Sequence, residues 1–149
     1  MTDRRWVAAD PFRAHLHHVC AETALPWQVV ALSAGLPLGL ARDLLDVRPG
    51  RRVARIAPEL ARQVLGIRAS EVIDLRSRVV PGRPSSILAR RLLDAGWTSA
   101  ALAGRLRMAR AEVDALAFGQ TPHVTSLVQL RLTVLAAARP FTSDTQWAA

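Results

Sequence analysis

The segments WQVVALSAGLPLGLARDLL (27–45) and DAGWTSAALAGRLRMARAEVDAL (94–116) decide the fold, because they repeat one pattern. Placing Ala31 over Ala103 keeps apolar residues over apolar residues at one offset of 72 residues. The segment before each copy aligns at an offset of 73, and the segment after each copy aligns only if the first copy has a longer loop. The sequence therefore predicts two copies of one structural unit.

Helical signals recur along the chain, whereas strand signals are nearly absent. Apolar residues lie three and four positions apart, and Pro or Gly marks the ends of these segments. The pattern predicts an all-α fold, with a short turn of helix at 70–75 and longer helices at 10–20, 26–34, 37–46, 58–65, 85–95, 98–105, 109–117 and 125–138.

The Pro- and Gly-containing stretch that ends at Pro84 predicts a boundary between the two copies. We expect an N-terminal arm, a first unit of about four helices, a connector, a second unit of about four helices and a C-terminal tail. These segments span residues 1–9, 10–67, 68–84, 85–139 and 140–149, respectively.

The spacing inside each copy is typical of a helix-turn-helix. A small residue in the second helix is followed by a turn residue, an apolar anchor and two more anchors in the third helix. In the first copy these residues are Ala31, Gly35, Leu36, Ala41 and Leu44, and in the second copy they are Ala103, Arg107, Met108, Val113 and Leu116.

With these motifs the chain resembles tandem helix-turn-helix proteins of high-GC actinobacteria and their phages, which are related to the repressor-like DNA-binding fold. The resemblance covers residues 10–139. It implies two tandem helix-turn-helix units and transcription regulation, with the third helix of each unit inserted into a major groove of duplex DNA.

The net charge of +8 is concentrated in one stretch of the chain. Residues 48–110 contain fourteen Arg and four acidic residues, whereas the segments before and after each have a net charge of −1. The sequence has no Lys, Asn or Tyr, which share AT-rich codons, so the abundance of Arg indicates a GC-rich genome, and only the clustering of Arg indicates a function. A polyanion is the natural partner of such a stretch. The alternative is a solvated face that keeps the protein soluble.

We expect the DNA contacts to go mainly to backbone phosphates. The third helix of the first copy begins with Pro37, Leu38, Gly39 and Leu40, which offer no hydrogen bonds to base edges. The second copy offers Arg110, but Glu112 and Asp114 oppose the phosphates unless one of them accepts from a cytosine amino group. The candidate DNA-binding residues are Arg42, Arg48, Arg51, Arg52, Arg55, Arg90, Arg91, Thr98, Ser99, Arg105, Arg107, Arg110, Gln120 and His123.

The apolar start of the third helix of the first copy favours a second hypothesis. In it the chain is a protein-interaction adaptor of antitoxin-like or transcription-associated type. Leu38 and Leu40 would form its contact surface. Trp6, Phe141 and Trp147 in the terminal segments would either fold back onto the domain or anchor a partner. The partner would be another protein or a second copy of the chain.

The remaining motifs favour no catalytic or metal function. His15, His18 and Cys20 lie on a predicted helix without a second ligand cluster, so we expect no metal site and an inert thiol. No nucleophile motif, phosphate loop or paired-carboxylate motif is present, so we expect no enzyme activity and no cofactor. The single cysteine and the absence of a signal-peptide pattern predict a cytoplasmic protein, and the expected DNA binding predicts that it is nucleoid-associated. Pro and Gly residues interrupt the longest uncharged run, 23–41, so we expect no membrane partner.

Overall fold

The computed structural model describes residues 5–138 and is mostly helical, as the sequence predicts. The chain divides into two compact units. The first ends at Leu75 and the second begins at Arg76, and we call them the N-terminal unit and the C-terminal unit.

Both units follow the order strand, three helices, strand, helix, and the N-terminal unit adds one short helix. The N-terminal unit contains β1 (Val7–Ala8), α1 (Asp10–Thr23), α2 (Trp27–Ser33), α3 (Leu38–Leu45), β2 (Arg55–Ile56), α4 (Pro58–Leu65) and α5 (Ala69–Asp74). The C-terminal unit contains β3 (Val79–Pro81), α6 (Arg83–Asp94), α7 (Ser99–Leu106), α8 (Arg110–Ala117), β4 (His123–Thr125) and α9 (Ser126–Ala137).

The strands of the two units pair in the same way. In the N-terminal unit β1 is antiparallel to β2, with Val7 opposite Ile56. In the C-terminal unit β3 is antiparallel to β4, with Val80 opposite Val124. The loop before the second strand has nine residues in the N-terminal unit and five in the C-terminal unit. This difference explains the gap that the sequence alignment needs.

A backbone hydrogen bond closes each strand pair at an equivalent place. The amide of Ala9 donates to the carbonyl of Ala54 over 2.9 Å, and the amide of Gly82 donates to the carbonyl of Pro122 over 2.8 Å. A Cβ atom on Gly82 would lie 2.1 Å from the carbonyl oxygen of Thr121. Glycine is therefore required at this position by the close approach of the two backbones.

The turns between helices also repeat. Ala24 and Gly96, which follow the first helix of each unit, have φ angles of 57° and 110°. Gly35 and Arg107, which follow the second helix, have φ angles of 72° and 55°. Each pair is separated by 72 residues, so the backbone repeats even where the side chain does not.

The buried apolar residues form one core in each unit. In the N-terminal unit α1 packs against α2, α4 and α5, and in the C-terminal unit α6 packs against α8 and α9. The largest fully buried side chains are Leu16, Val19, Val29, Val30, Leu36, Leu44 and Val64 in the first core and Leu102, Leu106, Val113, Leu116 and Leu132 in the second.

The nine-residue loop of the N-terminal unit is held by a buried arginine. Arg13 on α1 is 5% exposed. Its Nε donates to the carbonyl of Leu44 and its Nη2 to the carbonyl of Val53, each over 2.6 Å, and its Nη1 pairs with Asp10. Arg13 thus connects the two ends of the loop to α1.

Four short strands depart from the exclusively helical prediction. They have two or three residues each, which is too short for an alternating pattern to be detected in the sequence. Residues 7 and 8, which were predicted to belong to an N-terminal arm, form a strand. The predicted connector 68–84 contains α5, β3 and the start of α6. Between residues 5 and 138, no helix is long and apolar enough to cross a bilayer.

Candidate nucleic-acid interface

The helices α7 and α8 of the C-terminal unit are joined by a tight turn. The Thr98 hydroxyl caps α7 by accepting from the amide of Ala101 over 3.1 Å. After α7 the backbone of Arg107 adopts a left-handed conformation, and the amide of Met108 donates back to the carbonyl of Ala103 over 3.0 Å. The turn reverses the chain so that α8 packs against α7.

Five exposed arginines among the predicted DNA-binding residues lie on α7 and α8, in the turn between them, and on the preceding helix α6. They have no acidic partner and no side-chain hydrogen bond among residues 5–138. Since each guanidinium is charged and its donors are available, each of these side chains can bind an anion. These residues are Arg90 and Arg91 on α6, Arg105 on α7, Arg107 in the turn and Arg110 at the start of α8.

Arg131 on α9 lies near Arg107, and it is not among the residues that the sequence predicts to bind DNA. Its Nη1 donates to the carbonyl of Leu106, the last residue of α7, over 3.3 Å. Burial lowers the pKa of Arg131, and the charges of Arg107 and Arg76 lower it further. Positive groups are therefore crowded near the end of α7, and an anion bound there would relieve their repulsion.

Ser99 and Asp114 bond to each other. The Ser99 hydroxyl donates to Oδ1 of Asp114 over 2.6 Å, and this bond connects the first residue of α7 to the middle of α8. Of the two hydroxyls predicted to bind phosphate, the one on Ser99 therefore already donates within the protein. Thr98 keeps its hydroxyl proton for another acceptor, because its oxygen only accepts in the cap.

Glu112 is the exposed acidic side chain of α8, and it forms no ion pair among the described residues. It lies beside an open groove of about 430 Å³ between α8 and β4, which His123 and Thr121 also line. Gln120 is exposed in the loop that leads to β4. The structure thus brings Glu112 and His123 to one groove.

The predicted DNA-binding arginines of the N-terminal unit are largely paired with acids. Arg48 binds both carboxylate oxygens of Asp46, with Nε–Oδ1 and Nη2–Oδ2 distances of 2.9 and 2.6 Å. Arg52 donates to Oδ1 of Asp10 over 2.9 Å. On α3, Arg42 lies 3.9 Å from Asp43. Two arginines of this group, Arg51 and Arg55, are exposed without such a partner in the described chain.

These pairs shift the pKa values of the acids. The hydrogen bond from the Arg48 side chain is the largest of the effects that lower the pKa of Asp46 to about 2. The hydrogen bond from Arg52 likewise lowers the pKa of Asp10. The carboxylates are therefore ionised at neutral pH and neutralise the arginines that they contact.

The predicted apolar surface of α3 is smaller than expected. Leu40 is 47% exposed, but Leu38 is half-buried. Trp6 is 51% exposed, so it does not fold back into the core. Phe141 and Trp147 lie outside the described residues.

The two histidines that were considered as metal ligands, His15 and His18, each contact a different group of the protein. The Nε2 atom of His15 hydrogen-bonds with the carbonyl of Ile67 over 2.9 Å, and Nε2 of His18 lies 3.2 Å from Glu22. Cys20 is half-buried, and burial raises the pKa of its thiol. Within residues 5–138 no group of three or more His, Cys, Asp or Glu side chains is arranged to hold a metal ion.

The sequence matches no protein-family model, and it has no significant match among curated proteins or solved structures.

Proposed function

We propose that this chain is a non-enzymatic protein that binds duplex DNA, mainly through backbone phosphates, and regulates transcription. The observation that carries the proposal is the set of five exposed arginines on α6, α7, α8 and the turn between α7 and α8, which no described acidic side chain neutralises. Phosphate oxygens accept hydrogen bonds from guanidinium groups, often in pairs. Double-stranded DNA presents such oxygens at high density.

The charge balance of the C-terminal unit supports a polyanionic partner. Residues 76–138 contain nine arginines and three acidic residues. The crowding of Arg107 and Arg131 at the end of α7 adds to the local positive potential. Release of counterions from DNA would drive binding, and four phosphate contacts, from Arg90, Arg91, Arg105 and Arg107, would give a salt slope of about −3 to −4.

We further propose that α7 and α8 act as a helix-turn-helix, with α8 directed to the major groove. The support is the tight turn at Arg107 and the packing of α8 on α7. In this arrangement the first turn of the second helix meets the bases, and residues of the first helix meet the backbone. Arg110 would then reach the groove, whereas Arg105 and Arg107 would contact phosphates.

In the N-terminal unit, α2 and α3 repeat this arrangement with a weaker interface. Its arginines are largely paired, and α3 offers Leu40 where α8 offers Glu112, 72 residues later. We therefore assign most of the DNA affinity to the C-terminal unit. Such a protein would act at the nucleoid of a GC-rich bacterium or its phage.

A salt-titrated binding assay with charge-matched variants tests the proposal. We would measure the anisotropy of a short fluorescent duplex between about 50 and about 200 mM salt. The C-terminal variant carries Arg105→Ala, Arg107→Ala and Arg110→Ala, and the N-terminal variant carries Arg48→Ala, Arg51→Ala and Arg52→Ala. Both lose three positive charges.

We expect the C-terminal variant to bind about a hundredfold more weakly, and its salt slope to fall by about 1 for each of the two phosphate-contacting arginines removed, Arg105 and Arg107. The N-terminal variant should retain most of the affinity, because two of its arginines are already paired. Circular dichroism would verify that both variants are folded. Absence of duplex binding by the unmodified protein at the lowest salt, or equal losses in both variants, would contradict the proposal.

A protein-interaction adaptor is a second candidate, and the exposure of Leu40 and Trp6 favours it. If α3 binds a second copy of the chain, Leu40→Ser should lower the association constant in analytical ultracentrifugation without unfolding the protein. Ile73→Ser, at an exposed apolar position on α5, provides a matched control. An unmodified protein that remains monomeric at high concentration would exclude self-association through α3.

A further inference from the structure

We propose that Glu112 reads a cytosine in the major groove and that Arg110 reads a guanine, so that α8 selects a G·C-containing sequence. This inference rests on the proposed function, in which α8 enters the major groove. It goes beyond phosphate binding because it assigns sequence preference to two named side chains. An acidic group of α8 can read a base only if it is free of partners within the protein.

Asp114 is not free to read a base. Its Oδ1 accepts the Ser99 hydroxyl proton over 2.6 Å, and the residue is half-buried against α7. A base amino group would have to compete with a short internal hydrogen bond. Of the two carboxylates of α8, Glu112 is therefore the one available to DNA.

Glu112 lies in the first turn of α8, exposed and without an ion-pair partner between residues 5 and 138. A carboxylate only accepts hydrogen bonds, so phosphate oxygens repel it and offer it no donor. In the major groove the donors are the amino groups of cytosine and adenine. Glu112 can thus contribute to affinity only through one of these groups.

The base edges favour cytosine over adenine. The adenine amino group lies between two acceptors, N7 of the same base and O4 of the paired thymine. The cytosine amino group has an acceptor on one side only, O6 of the paired guanine. A carboxylate therefore meets less repulsion at cytosine, which is the base that acidic side chains accept from.

Arg110 can make a second base contact, separate from that of Glu112. It is the first residue of α8, it is exposed, and none of the acids in the described chain pairs with it. Residues two positions apart on a helix do not face each other, so Arg110 and Glu112 do not neutralise one another. Arg110 can donate two hydrogen bonds to O6 and N7 of a guanine.

The test begins with selection of preferred duplexes from a random library by the unmodified full-length protein. Binding is then measured on the selected duplex and on duplexes in which single C·G pairs are replaced by A·T or T·A. The variants are Glu112→Gln, Glu112→Ala and Arg110→Ala. Asp94→Asn, at an exposed position on α6, is the control for loss of one negative charge.

We expect the unmodified protein to prefer cytosine at one position by at least about tenfold. Glu112→Gln should move this preference toward adenine, because Gln pairs with N6 and N7 of adenine. Glu112→Ala should remove the preference, and Arg110→Ala should remove a guanine preference at another position. Asp94→Asn should change the affinity for all duplexes equally.

Two results would overturn the inference in distinguishable ways. If Glu112→Gln and Glu112→Ala both raise the affinity for every duplex equally, the carboxylate only repels phosphates, and the proposed function still stands. If the unmodified protein binds no duplex, the proposed function fails and the inference fails with it.

Discussion

The N-terminal unit and the C-terminal unit have the same number of arginines but different numbers of acids. Residues 5–75 contain nine arginines and seven acidic residues, and residues 76–138 contain nine and three. In the N-terminal unit Arg48 and Arg52 bind carboxylates, whereas in the C-terminal unit Arg105, Arg107 and Arg110 have no acid partner among the described residues.

The difference shows that two units with the same backbone arrangement can use arginine differently. In the N-terminal unit arginine stabilises a longer loop through buried and surface bonds, and Arg13 is the clearest case. In the C-terminal unit the loop is shorter, Ser86 occupies the position equivalent to Arg13, and the arginines lie at the surface. The three predictions below test this division.

The largest effect is expected at Arg13. Arg13→Met keeps most of the apolar stem but removes the donors to the carbonyls of Leu44 and Val53. Because these bonds are buried and charged, we expect the free energy of unfolding of the N-terminal unit to fall by about 3 kcal/mol. Urea denaturation followed by circular dichroism measures the change.

Ser86→Ala is the matched control in the C-terminal unit, 73 residues after Arg13. We expect its free energy of unfolding to change by less than about 0.5 kcal/mol. If Arg13→Met lowers the free energy of unfolding as little as Ser86→Ala does, Arg13 does not hold the loop. Arginine would then not have the stabilising role that distinguishes the N-terminal unit.

A smaller effect is expected at the left-handed residues that are not glycine. Arg107 and Ala24 have φ angles of 55° and 57°, at positions where the other unit has Gly35 and Gly96. A side chain in this conformation costs about 1 kcal/mol, so Arg107→Gly and Ala24→Gly should each raise stability by about that amount.

The two substitutions should differ in DNA binding. Arg107→Gly should weaken binding and reduce the salt slope by about 1, because it removes one of the proposed phosphate contacts. Ala24→Gly should leave binding unchanged. Equal affinities of both variants for DNA would mean that Arg107 is retained in a strained conformation for another reason.

The helices of the repeat were predictable because their signals are local. The predicted segments 26–34 and 37–46 match α2 and α3 within one residue at each end. The strands were not predictable, because Val7 and Val80 pair with residues that lie 49 and 44 positions further along the chain, and two or three residues give no alternating pattern. Nothing in the sequence around Arg13 indicates that its side chain is buried.

The sequence predicted that the candidate site is rich in arginine, but it did not predict which polar side chains are already bonded within the protein. The sequence shows that residues 48–110 are rich in arginine, but the pairing of Arg52 with Asp10 spans 42 residues and depends on the fold. The Ser99–Asp114 bond depends on the packing of α7 on α8 in the same way. The pairing of Arg48 with Asp46 is the exception, because a carboxylate two residues before an arginine at a helix end is a local signal.

The smallest effect on stability is expected when acid protonates Asp46 in the Asp46–Arg48 pair. Hydrogen bonds from the side chain and the backbone amide of Arg48 are the largest of the effects that lower the pKa of Asp46 to about 2, below its ordinary value of 3.8. A lowered folded-state pKa means that the stabilisation is complete above pH 4 and is lost as the pH falls from about 4 to about 2. In Asp46→Asn this part of the pH dependence of stability should disappear.

The measurement is the unfolding free energy between pH 5 and pH 2 for the unmodified protein, Asp46→Asn and Asp43→Asn. Asp43 is the control because its carboxylate lies 3.9 Å from Arg42 on the exposed surface of α3, without a bidentate bond. Moderate salt should reduce the effect at Asp46, since both partners are in contact with solvent. If Asp46→Asn and Asp43→Asn have the same pH profile, the Asp46–Arg48 pair does not stabilise the N-terminal unit. Arg48 would then be as free to bind an anion as Arg110.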